Sequence, residues 1–373
     1  MIPLSKPDIT QSEINRVTAV LNSQYLSGGP VVTEFEAKLA AIAGTRFAVA
    51  VSSGTAALHL ILLALGIGPG DEVVTTPYSF IASANSILYV GATPVFCDIS
   101  PADLNIDPER IAAKITPRTK AILAVHVFGF PAAMDAIMQI AAARQLPVIE
   151  DACEALGAKT AGRPVGGIGI AGTFAFYPNK QITTGEGGAI VTNDSALAGM
   201  IRSLANQGRD YDNQWLRHVR LGYNYRLSEL AAALGCAQLE RLDPILKQRA
   251  AVAEWYYQEL SGEPLLTVPD PGRFPQNEVS WFVYVVRFAS HPLREHVSNH
   301  LTHHGIQNRP YFPAIHLQPF YETRFGYAEG VFPNTETAAA TSLALPFCTR
   351  MTQSEVKTVG DQIRNALATY RPQ

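Results

Sequence analysis

The chain has 373 residues and a mass of 40.3 kDa, enough for two domains with a large shared core, which excludes a mini-scaffold. Hydrophobic residues make up 47% of the chain and charged residues 16%, a globular balance that indicates substantial burial. The net charge of −3 gives no sign of a nucleic-acid-binding surface.

The N-terminal residues 1–7 lack a charged region followed by an apolar run, and no segment approaches the roughly 20 apolar residues needed to cross a bilayer. The four cysteines are widely separated and lie among apolar or small neighbours, which is typical of reduced core residues. We therefore expect a cytoplasmic protein with no membrane partner.

From residue 47 to residue 193, short apolar runs alternate with stretches of helical spacing. The apolar runs predict buried parallel strands over residues 47–51, 72–75, 93–96, 121–125 and 147–150. Helical spacing between them covers residues 55–65, 80–90, 107–114 and 134–144. The alternation predicts an α/β fold with a mostly parallel sheet, helices on both faces, and ligands at the carboxyl ends of the strands.

The second half of the chain has a different pattern. A further strand is predicted over residues 189–192 and a helix over 195–205, and a long helical pattern over 228–257 is broken near Asp243 and Pro244. After a Pro- and Gly-rich stretch, a strand (281–287) and two helices (291–304 and 354–370) follow. We expect a large α/β domain over residues 1–245 and a smaller α+β domain over residues 246–373.

Residues 52–57 follow a predicted strand and open a helix. The backbone N–H groups of this turn, which contains Gly54, Thr55 and Ala56, can bind a phosphate together with the helix dipole. An ordinary strand-to-helix turn with a Ser or Thr cap is the alternative.

Lys180 lies in a glycine-containing segment, residues 176–188, downstream of an acidic strand end at Glu150 and Asp151. A lysine beside small residues can form a Schiff base, and a buried aspartate can keep a pyridine nitrogen protonated; together they suit pyridoxal phosphate chemistry. Strand alternation should point Glu150 to the opposite face from Asp151. A surface lysine and a helix-capping aspartate are the alternatives.

Three further residues at strand ends have two interpretations each. Glu154 could approach the phenolic oxygen of the cofactor or a substrate hydroxyl, or be a solvated helix residue. Phe80 could stack on a flat cofactor or belong to the core. His126 could be catalytic or a satisfied core histidine.

Two segments of the C-terminal part could bind ligands. In residues 308–318, polar side chains that include Tyr311, His316 and Gln318 are spaced among prolines, which suits either a substrate wall or a structural loop. Four histidines on one predicted helix have i, i+4 spacing, but no HExxH pattern or nearby Cys accompanies them, so we predict no metal site.

Taken together, these stretches resemble the DegT/DnrJ/StrS family of sugar aminotransferases, pyridoxal phosphate enzymes of fold type I. The resemblance runs from residue 2 to residue 346. Its most specific parts are residues 53–58, 150–152, 180–188, 222–229 and 315–318.

The resemblance implies roles for individual residues. Lys180 binds pyridoxal 5′-phosphate covalently, Asp151 pairs with its pyridine nitrogen, and Phe80 stacks on its ring. Thr55 and Ala56 give backbone donors to the phosphate. It also implies a homodimer with shared active sites, in which Asn224 reaches the phosphate of the neighbouring subunit.

Two positions depart from the family pattern. Ala175 stands where members of the family commonly have a phosphate-binding serine, which removes one hydroxyl donor. Glu154 stands where many have glutamine. An ionised carboxyl near the phenolate oxygen would be repelled, so we expect Glu154 to be protonated or turned toward the substrate.

The activity implied by the resemblance is transfer of an amino group from L-glutamate or glutamine to a keto group of a nucleotide-linked sugar, in deoxyamino-sugar or polysaccharide biosynthesis. A transaminase of a free keto-cyclitol, a pyridoxal phosphate sugar dehydratase and a catalytically silent regulatory protein on the same fold are the alternatives. Relatives that act as dehydratases have His in place of the lysine, so Lys180 argues against that activity.

Overall fold

Helices and strands alternate along the chain in the computed structural model, which describes residues 1–210 and 216–371. The strands are β1 (Phe47–Val51), β2 (Glu72–Thr75), β3 (Thr93–Phe96), β4 (Thr119–Val125), β5 (Val148–Asp151), β6 (Lys159–Thr160), β7 (Arg163–Pro164), β8 (Ala171–Ala175), β9 (Gly188–Thr192), β10 (Leu266–Thr267), β11 (Asn277–Glu278), β12 (Tyr284–Phe288) and β13 (Ser342–Leu345). The helices are α1 (Gln11–Leu21), α2 (Pro30–Ala43), α3 (Gly54–Ala64), α4 (Ala82–Tyr89), α5 (Pro108–Ile111), α6 (Met134–Ala143), α7 (Ser195–Ala205), α8 (Glu229–Glu240), α9 (Leu242–Leu260), α10 (His291–His303), α11 (Pro319–Phe325), α12 (Pro333–Thr341) and α13 (Gln353–Thr369).

The central sheet of the described residues has seven strands in the spatial order β1-β9-β8-β5-β4-β2-β3. The pairs β8–β5, β5–β4, β4–β2 and β2–β3 are parallel, whereas β9 is antiparallel to both of its neighbours, β1 and β8. Only β9 therefore runs against the other strands of this sheet. The prediction of a mostly parallel sheet is confirmed, and the carboxyl ends of the other strands share one edge.

The sheet is covered on both faces, as its apolar strands require. Along β1, Val49 and Val51 face a core that includes residues of α3 and α7, whereas Ala48 and Ala50 face a core that includes residues of α2 and α8. A strand buried on both faces reads as a continuous apolar run, which is why these strands could be recognised in the sequence.

Local sequence signals begin several helices. Thr10 and Glu13 form a capping box at the start of α1, and Thr352 and Glu355 form another at the start of α13. The longest helix, α9, has 19 residues. Within residues 1–210 and 216–371, no helix combines the length and the apolar character that crossing a membrane requires.

The C-terminal part has its own core around the sheet β10-β12-β13. The first turn of α9 places Leu242 and Ile245 in the core of the large sheet, and its later turns place Val252 and Tyr256 in the C-terminal core. We propose that the two domains meet within α9, near the predicted boundary between residues 245 and 246. Ile2 departs from that division, because its backbone pairs with the C-terminal part at Gly305 and Gln307.

Glu150 ties the loop before β8 to β5. Its Oε1 accepts the N–H groups of Ile168 and Gly169, each at 2.7 Å, and its Oε2 accepts that of Gly166 at 2.7 Å. His126 Nε2 lies 3.1 Å from the same Oε2. Glu150 therefore points away from the cleft, as strand alternation predicted, and its anchoring fixes the strand that carries Asp151.

We expect Glu150→Gln to destabilise the protein by about 2–4 kcal/mol, because an amide nitrogen would face donors that need an acceptor inside the core. Urea unfolding followed by circular dichroism measures the change. Glu278→Gln is the matched control, because the Glu278 side chain is exposed and forms a surface ion pair with Lys159. Equal stability of the two variants would contradict this account of Glu150.

Candidate active site

A cavity of about 760 Å³ lies at the shared edge of the sheet, where the loops after β1, β2, β5 and β8 meet. Eight of the residues predicted from the sequence line it: Gly54, Thr55, Phe80, Asp151, Glu154, Lys180, Tyr311 and Gln318. Ala56, His316 and Asn224 do not line it. The position of Lys180 follows from a turn after β8, in which its backbone N–H donates to the carbonyl of Tyr177 at 2.9 Å.

Asp151 is a buried carboxylate at the floor of the cavity, with only 6% of its surface exposed. Its Oδ2 accepts the hydroxyl of Ser83 at 2.7 Å, and its Oδ1 accepts the N–H of Cys153 at 3.2 Å. Within the described part of the chain no cationic side chain forms an ion pair with it. A buried carboxylate without a cation is costly, so this site fits a ligand that brings a positive charge, such as a protonated pyridine.

Lys180 projects into the same cavity. Its Nζ lies 3.5 Å from Glu154 Oε1 and 3.9 Å from the centre of the Phe282 ring. Gln181, the next residue, donates from Nε2 to the backbone carbonyl of Glu154 at 2.6 Å, which fixes the two segments to each other. The primary amine of Lys180 and the carboxyl groups of Asp151 and Glu154 thus face one space, an arrangement that suits covalent binding of a pyridine aldehyde.

Burial raises the pKa of Glu154 above its ordinary value, and repulsion from Asp151 adds to this. Attraction to Lys180 and the N–H of Phe128, 2.9 Å from Oε2, act in the opposite direction and are outweighed. A protonated Glu154 can lie beside a phenolate oxygen without repulsion. The raised pKa agrees with the protonated Glu154 expected from the sequence.

The first turn of α3 closes one end of the cavity. Ser53 caps this helix, and its Oγ accepts the N–H of Ala56 at 3.1 Å, so a phosphate bound at this turn would compete for that donor. A Cβ at Gly188 would lie 2.4 Å from the backbone carbon of Ser53. Only glycine at position 188 therefore lets β9 begin against this turn. The roles of Thr55 and Ala56 stay predictions.

Aromatic side chains stand at the rim of the cavity. Phe80 is 62% exposed although it follows a buried strand, and Tyr177 is also exposed. A phenyl ring with a free face at the cavity rim can cover a flat heterocycle. The predicted stacking role of Phe80 stays a prediction, and its exposure argues against the alternative that it belongs to the core.

His316 lies behind the predicted substrate wall and does not line the cavity. It is fully buried, packs edge-to-face on Phe332, and its Nε2 lies 3.0 Å from Glu336 Oε1. It supports the loop from behind, and its substrate-binding role stays a prediction. Tyr311 and Gln318 do line the cavity, and their binding roles stay predictions.

Three other histidines, His126, His296 and His300, have structural partners. His126 Nδ1 accepts the N–H of Ala132 at 3.0 Å, which leaves Nε2 as the donor to Glu150 and makes this a satisfied core histidine. On α10, His296 and His300 hydrogen-bond to residues of α13. Among the described residues there is no group of three or more side chains that could hold a metal ion.

Asn224 lies on the surface, outside the cavity of its own chain. Its backbone pairs with Asn206, and Tyr225, the next residue, accepts the N–H of Ser52 at 2.8 Å. The segment of Asn224 is thus fixed beside the strand-to-helix turn while its own side chain faces outward. This arrangement leaves the predicted contact with a neighbouring subunit open.

Several residues of the cavity were not predicted from the sequence, including Ser83, Asn179, Glu186, Phe282 and Phe312. Ser83 had a signal, because it lies at i+4 from Ser79 beside a predicted strand end. No sequence signal indicated Phe282, since it lies more than 100 positions from Lys180 and reaches the cavity from the C-terminal part of the chain.

Comparison with known proteins identifies the family. The model of the DegT/DnrJ/EryC1/StrS aminotransferase family matches residues 7–364. The chain belongs to this family. The aminotransferase fold, enzyme class, function and pyridoxal phosphate cofactor predicted from the sequence are thereby confirmed.

Individual relatives are similar over most of this aminotransferase. The spore coat polysaccharide biosynthesis protein SpsC of Bacillus subtilis is 40% identical over 380 residues, covering 98% of this chain and 96% of SpsC. GDP-perosamine synthase of Caulobacter vibrioides is 41% identical over 323 residues, covering 86% of each chain. The structure of S. venezuelae DesV in complex with a ketimine intermediate superposes with a TM-score of 0.92 at 34% identity, covering 100% of this chain and 99% of DesV.

The raised pKa of Glu154 predicts a pH-dependent effect on the stability of the cofactor-free aminotransferase. The folded protein binds this proton more tightly than the unfolded chain, so the charged carboxyl costs stability once the pH rises through the folded-state pKa. Glu154→Gln removes that cost. We expect the variant to match the wild type below the ordinary carboxyl pKa and to exceed it toward neutral pH.

Urea unfolding of both proteins between about pH 4 and pH 8 measures this difference. Glu278→Gln, an exposed change, is the control and should give no such trend. A stability difference that shrinks with rising pH would contradict the assignment.

Proposed function

We propose that this aminotransferase moves an amino group from L-glutamate or glutamine to a keto group of a nucleotide-linked sugar. The observation that carries the proposal is the convergence on one cavity of Lys180 and Asp151, which has no ion-pair partner among the described residues. Similarity to GDP-perosamine synthase supports a nucleotide sugar as the acceptor, and similarity to SpsC supports a role in polysaccharide biosynthesis.

Each residue of the cavity has a defined task in this proposal. Bound pyridoxal phosphate supplies an aldehyde and an electron-withdrawing ring. Lys180 would hold the cofactor through its Nζ, and the same amine, when free, would carry a proton from the Cα of the amino donor to the cofactor. Asp151 accepts a hydrogen bond from the pyridine N–H, and Ser83 keeps the carboxylate oriented toward it.

A single chain supplies little positive charge for the phosphates of the cofactor and the nucleotide. Of the residues that line the cavity in the described part of the chain, only Lys180 is cationic, whereas Asp151, Glu154 and Glu186 are acidic. Ala175 offers no hydroxyl donor there either. We therefore propose a homodimer with shared sites, in which Asn224 of a second copy donates to the cofactor phosphate.

Exposed apolar side chains support this dimer. Leu221 is 83% exposed, and Tyr25, Leu26 and Val219 are also exposed. The carbonyl of Leu26 accepts the N–H of Glu229 at 3.0 Å, so the segment of Tyr25 and Leu26 is fastened to the chain that follows Leu221 and Asn224. Apolar residues concentrated in this way are typical of a protein–protein interface.

We also place the reaction in the cytoplasm. All four cysteines, Cys97, Cys153, Cys236 and Cys348, are free thiols. Three of them are buried, and burial raises the pKa of each of these three. Inert, reduced core thiols suit a reducing compartment.

The proposed function is tested with the enzyme converted to its amino form by L-glutamate. We expect one member of a panel of GDP-, TDP- and UDP-linked 3-keto and 4-keto sugars to restore the aldehyde absorbance with first-order kinetics. Lys180→Ala should lower this turnover by at least about 10³-fold, because it removes both the covalent link and the proton carrier.

The outcomes separate the rival activities. Restoration by a free keto-cyclitol alone would favour a cyclitol transaminase, and release of ammonia without 2-oxoglutarate would favour a dehydratase. Absence of any absorbance band after purification with added cofactor would favour a silent protein on the same fold. Unimpaired transamination by Lys180→Ala would refute the role of the lysine.

Hybrid dimers test the shared site. Asn224→Ala should weaken cofactor retention, and mixing it with Lys180→Ala under exchanging conditions should restore activity, because each mixed dimer contains one unaltered site. Random pairing predicts about one quarter of the wild-type activity. Lys38→Ala mixed with Lys180→Ala is the matched control for dilution. Failure of the Asn224→Ala mixture to gain activity would count against a shared site.

A further inference from the structure

The ring of Phe282 lies under the reactive amine. Lys180 Nζ is 3.9 Å from the centre of this ring, closer than the roughly 6 Å at which cation–π attraction begins to matter. Phe282 is 1% exposed, and Lys180 has 13% of its side chain exposed, so little water competes for the contact. Phe282 neither binds the cofactor nor carries a proton in the proposed reaction.

Phe282 is held in place by its backbone. Arg249 donates from Nε to the carbonyl of Trp281 at 2.7 Å and from Nη2 to the carbonyl of Phe282 at 2.6 Å. The N–H of Phe282 donates to the carbonyl of Phe128 at 3.2 Å. Trp281 has a φ of 42°, a left-handed conformation that is unfavourable for a bulky residue and persists only where the surroundings impose it.

Arg249 is an unusual anchor, because it is 2% exposed and its hydrogen bonds within the described residues go to two carbonyls and the hydroxyl of Thr349. Burial lowers its pKa to about 10. Burying a guanidinium without a carboxylate partner costs folding free energy, so an apolar residue would stabilise this position better if the role were purely structural. Its planar fork instead fixes two successive carbonyls at the position from which Phe282 reaches the cavity.

We propose that Phe282 is a positioning residue for the transfer reaction: its ring holds the Lys180 ammonium near the reacting carbon whenever the lysine is not covalently linked, and Arg249 holds Phe282 there. This inference rests on the proposed function and deepens its account of the lysine.

The ring of Phe282 differs from the neighbouring acidic side chains in how it interacts with the Lys180 ammonium. The titratable groups that face Lys180 are Glu154, Asp151 and Cys153, with Tyr311 on the far side of Phe282. A carboxylate attracts the ammonium but can also accept its proton. A phenyl ring attracts the ammonium and accepts no proton, so the proton stays on Nζ for delivery to the cofactor carbon.

Fluorinated phenylalanines at position 282 test the ring directly, because each added fluorine weakens the negative face with little change in shape. Monofluoro-, difluoro- and trifluoro-phenylalanine should lower kcat of the glutamate half-reaction stepwise, to about one tenth for the trifluoro residue, with KM within about twofold. Phe282→Leu, which keeps apolar bulk, should resemble the trifluoro protein.

A second readout is independent of turnover. In cofactor-free protein, reductive methylation of Lys180 followed by peptide mass spectrometry should become faster along the same fluorine series, because the amine is less firmly held as ammonium. Lys159, which pairs with Glu278 at the surface, is the internal control. Methylation rates that do not change along the series would overturn the proposal even if transamination is found, and a graded series would support it whatever the acceptor is.

Arg249→Lys tests the anchor, since a lysine keeps the charge but cannot fork across two carbonyls. We expect a loss of kcat similar to that of Phe282→Leu, and a double variant no worse than Phe282→Leu alone, because the arginine acts through the ring. Arg364→Lys, in a surface ion pair, is the matched control. Additive losses in the double variant would contradict the role of Arg249.

Discussion

The site depends on a buried carboxyl group, that of Asp151, at the floor of the cavity. Two neighbouring acidic residues of β5 lie in different environments. The side chain of Glu150 points into the core, where backbone N–H groups and His126 satisfy its oxygens. The side chain of Asp151 points to the cavity and has one hydroxyl and one N–H as partners. Because Glu150 is fully satisfied, the strand end is rigid. Because Asp151 is not, the cavity favours a ligand that carries a proton on a ring nitrogen.

Around Asp151, segments from distant parts of the chain are joined by hydrogen bonds that use both backbone and side-chain groups. The N–H of Phe128 donates to the carboxyl group of Glu154, and the N–H of Phe282 donates to the carbonyl of Phe128. The side-chain amide of Gln181 donates to the carbonyl of Glu154 and to the hydroxyl of Ser280. These contacts connect strand ends of the large sheet to the start of the second domain. The groups around the lysine are therefore held in place by hydrogen bonds between segments that are far apart in the sequence.

Much of the fold could be predicted because buried strands and amphipathic helices leave periodic patterns. The exception among the strands of the central sheet is β8, whose sequence Ala-Gly-Thr-Phe-Ala has a glycine and small residues where an apolar run would be expected. Its glycine is required, since a Cβ at Gly172 would lie 2.2 Å from the carbonyl oxygen of Gly166. The orientation of β9 also has no local signal, because strand direction is decided by pairing.

The site was predictable where short sequence patterns mark it, at Asp151 on a predicted strand end and at Lys180 in a glycine-containing segment, both of which line the cavity. It was not predictable where a role depends on long-range packing. His316 was placed in the substrate wall by its neighbours in sequence, but Glu336 and Phe332, which bury it, lie 16 to 20 residues further on. Arg249 and Phe282 had no signal for the same reason.

The course of α9 bears on how substrates enter and leave. This single helix contributes Ile245 to one core and Tyr256 to the other, with no loop between them. A hinge at that point would require breaking helical hydrogen bonds, so swinging of one lobe against the other is disfavoured. Substrates must instead enter and leave the cavity through local rearrangement of side chains at its rim, such as Phe80 and Tyr177. The size of the opening that these side chains leave would limit the size of the acceptor that can pass.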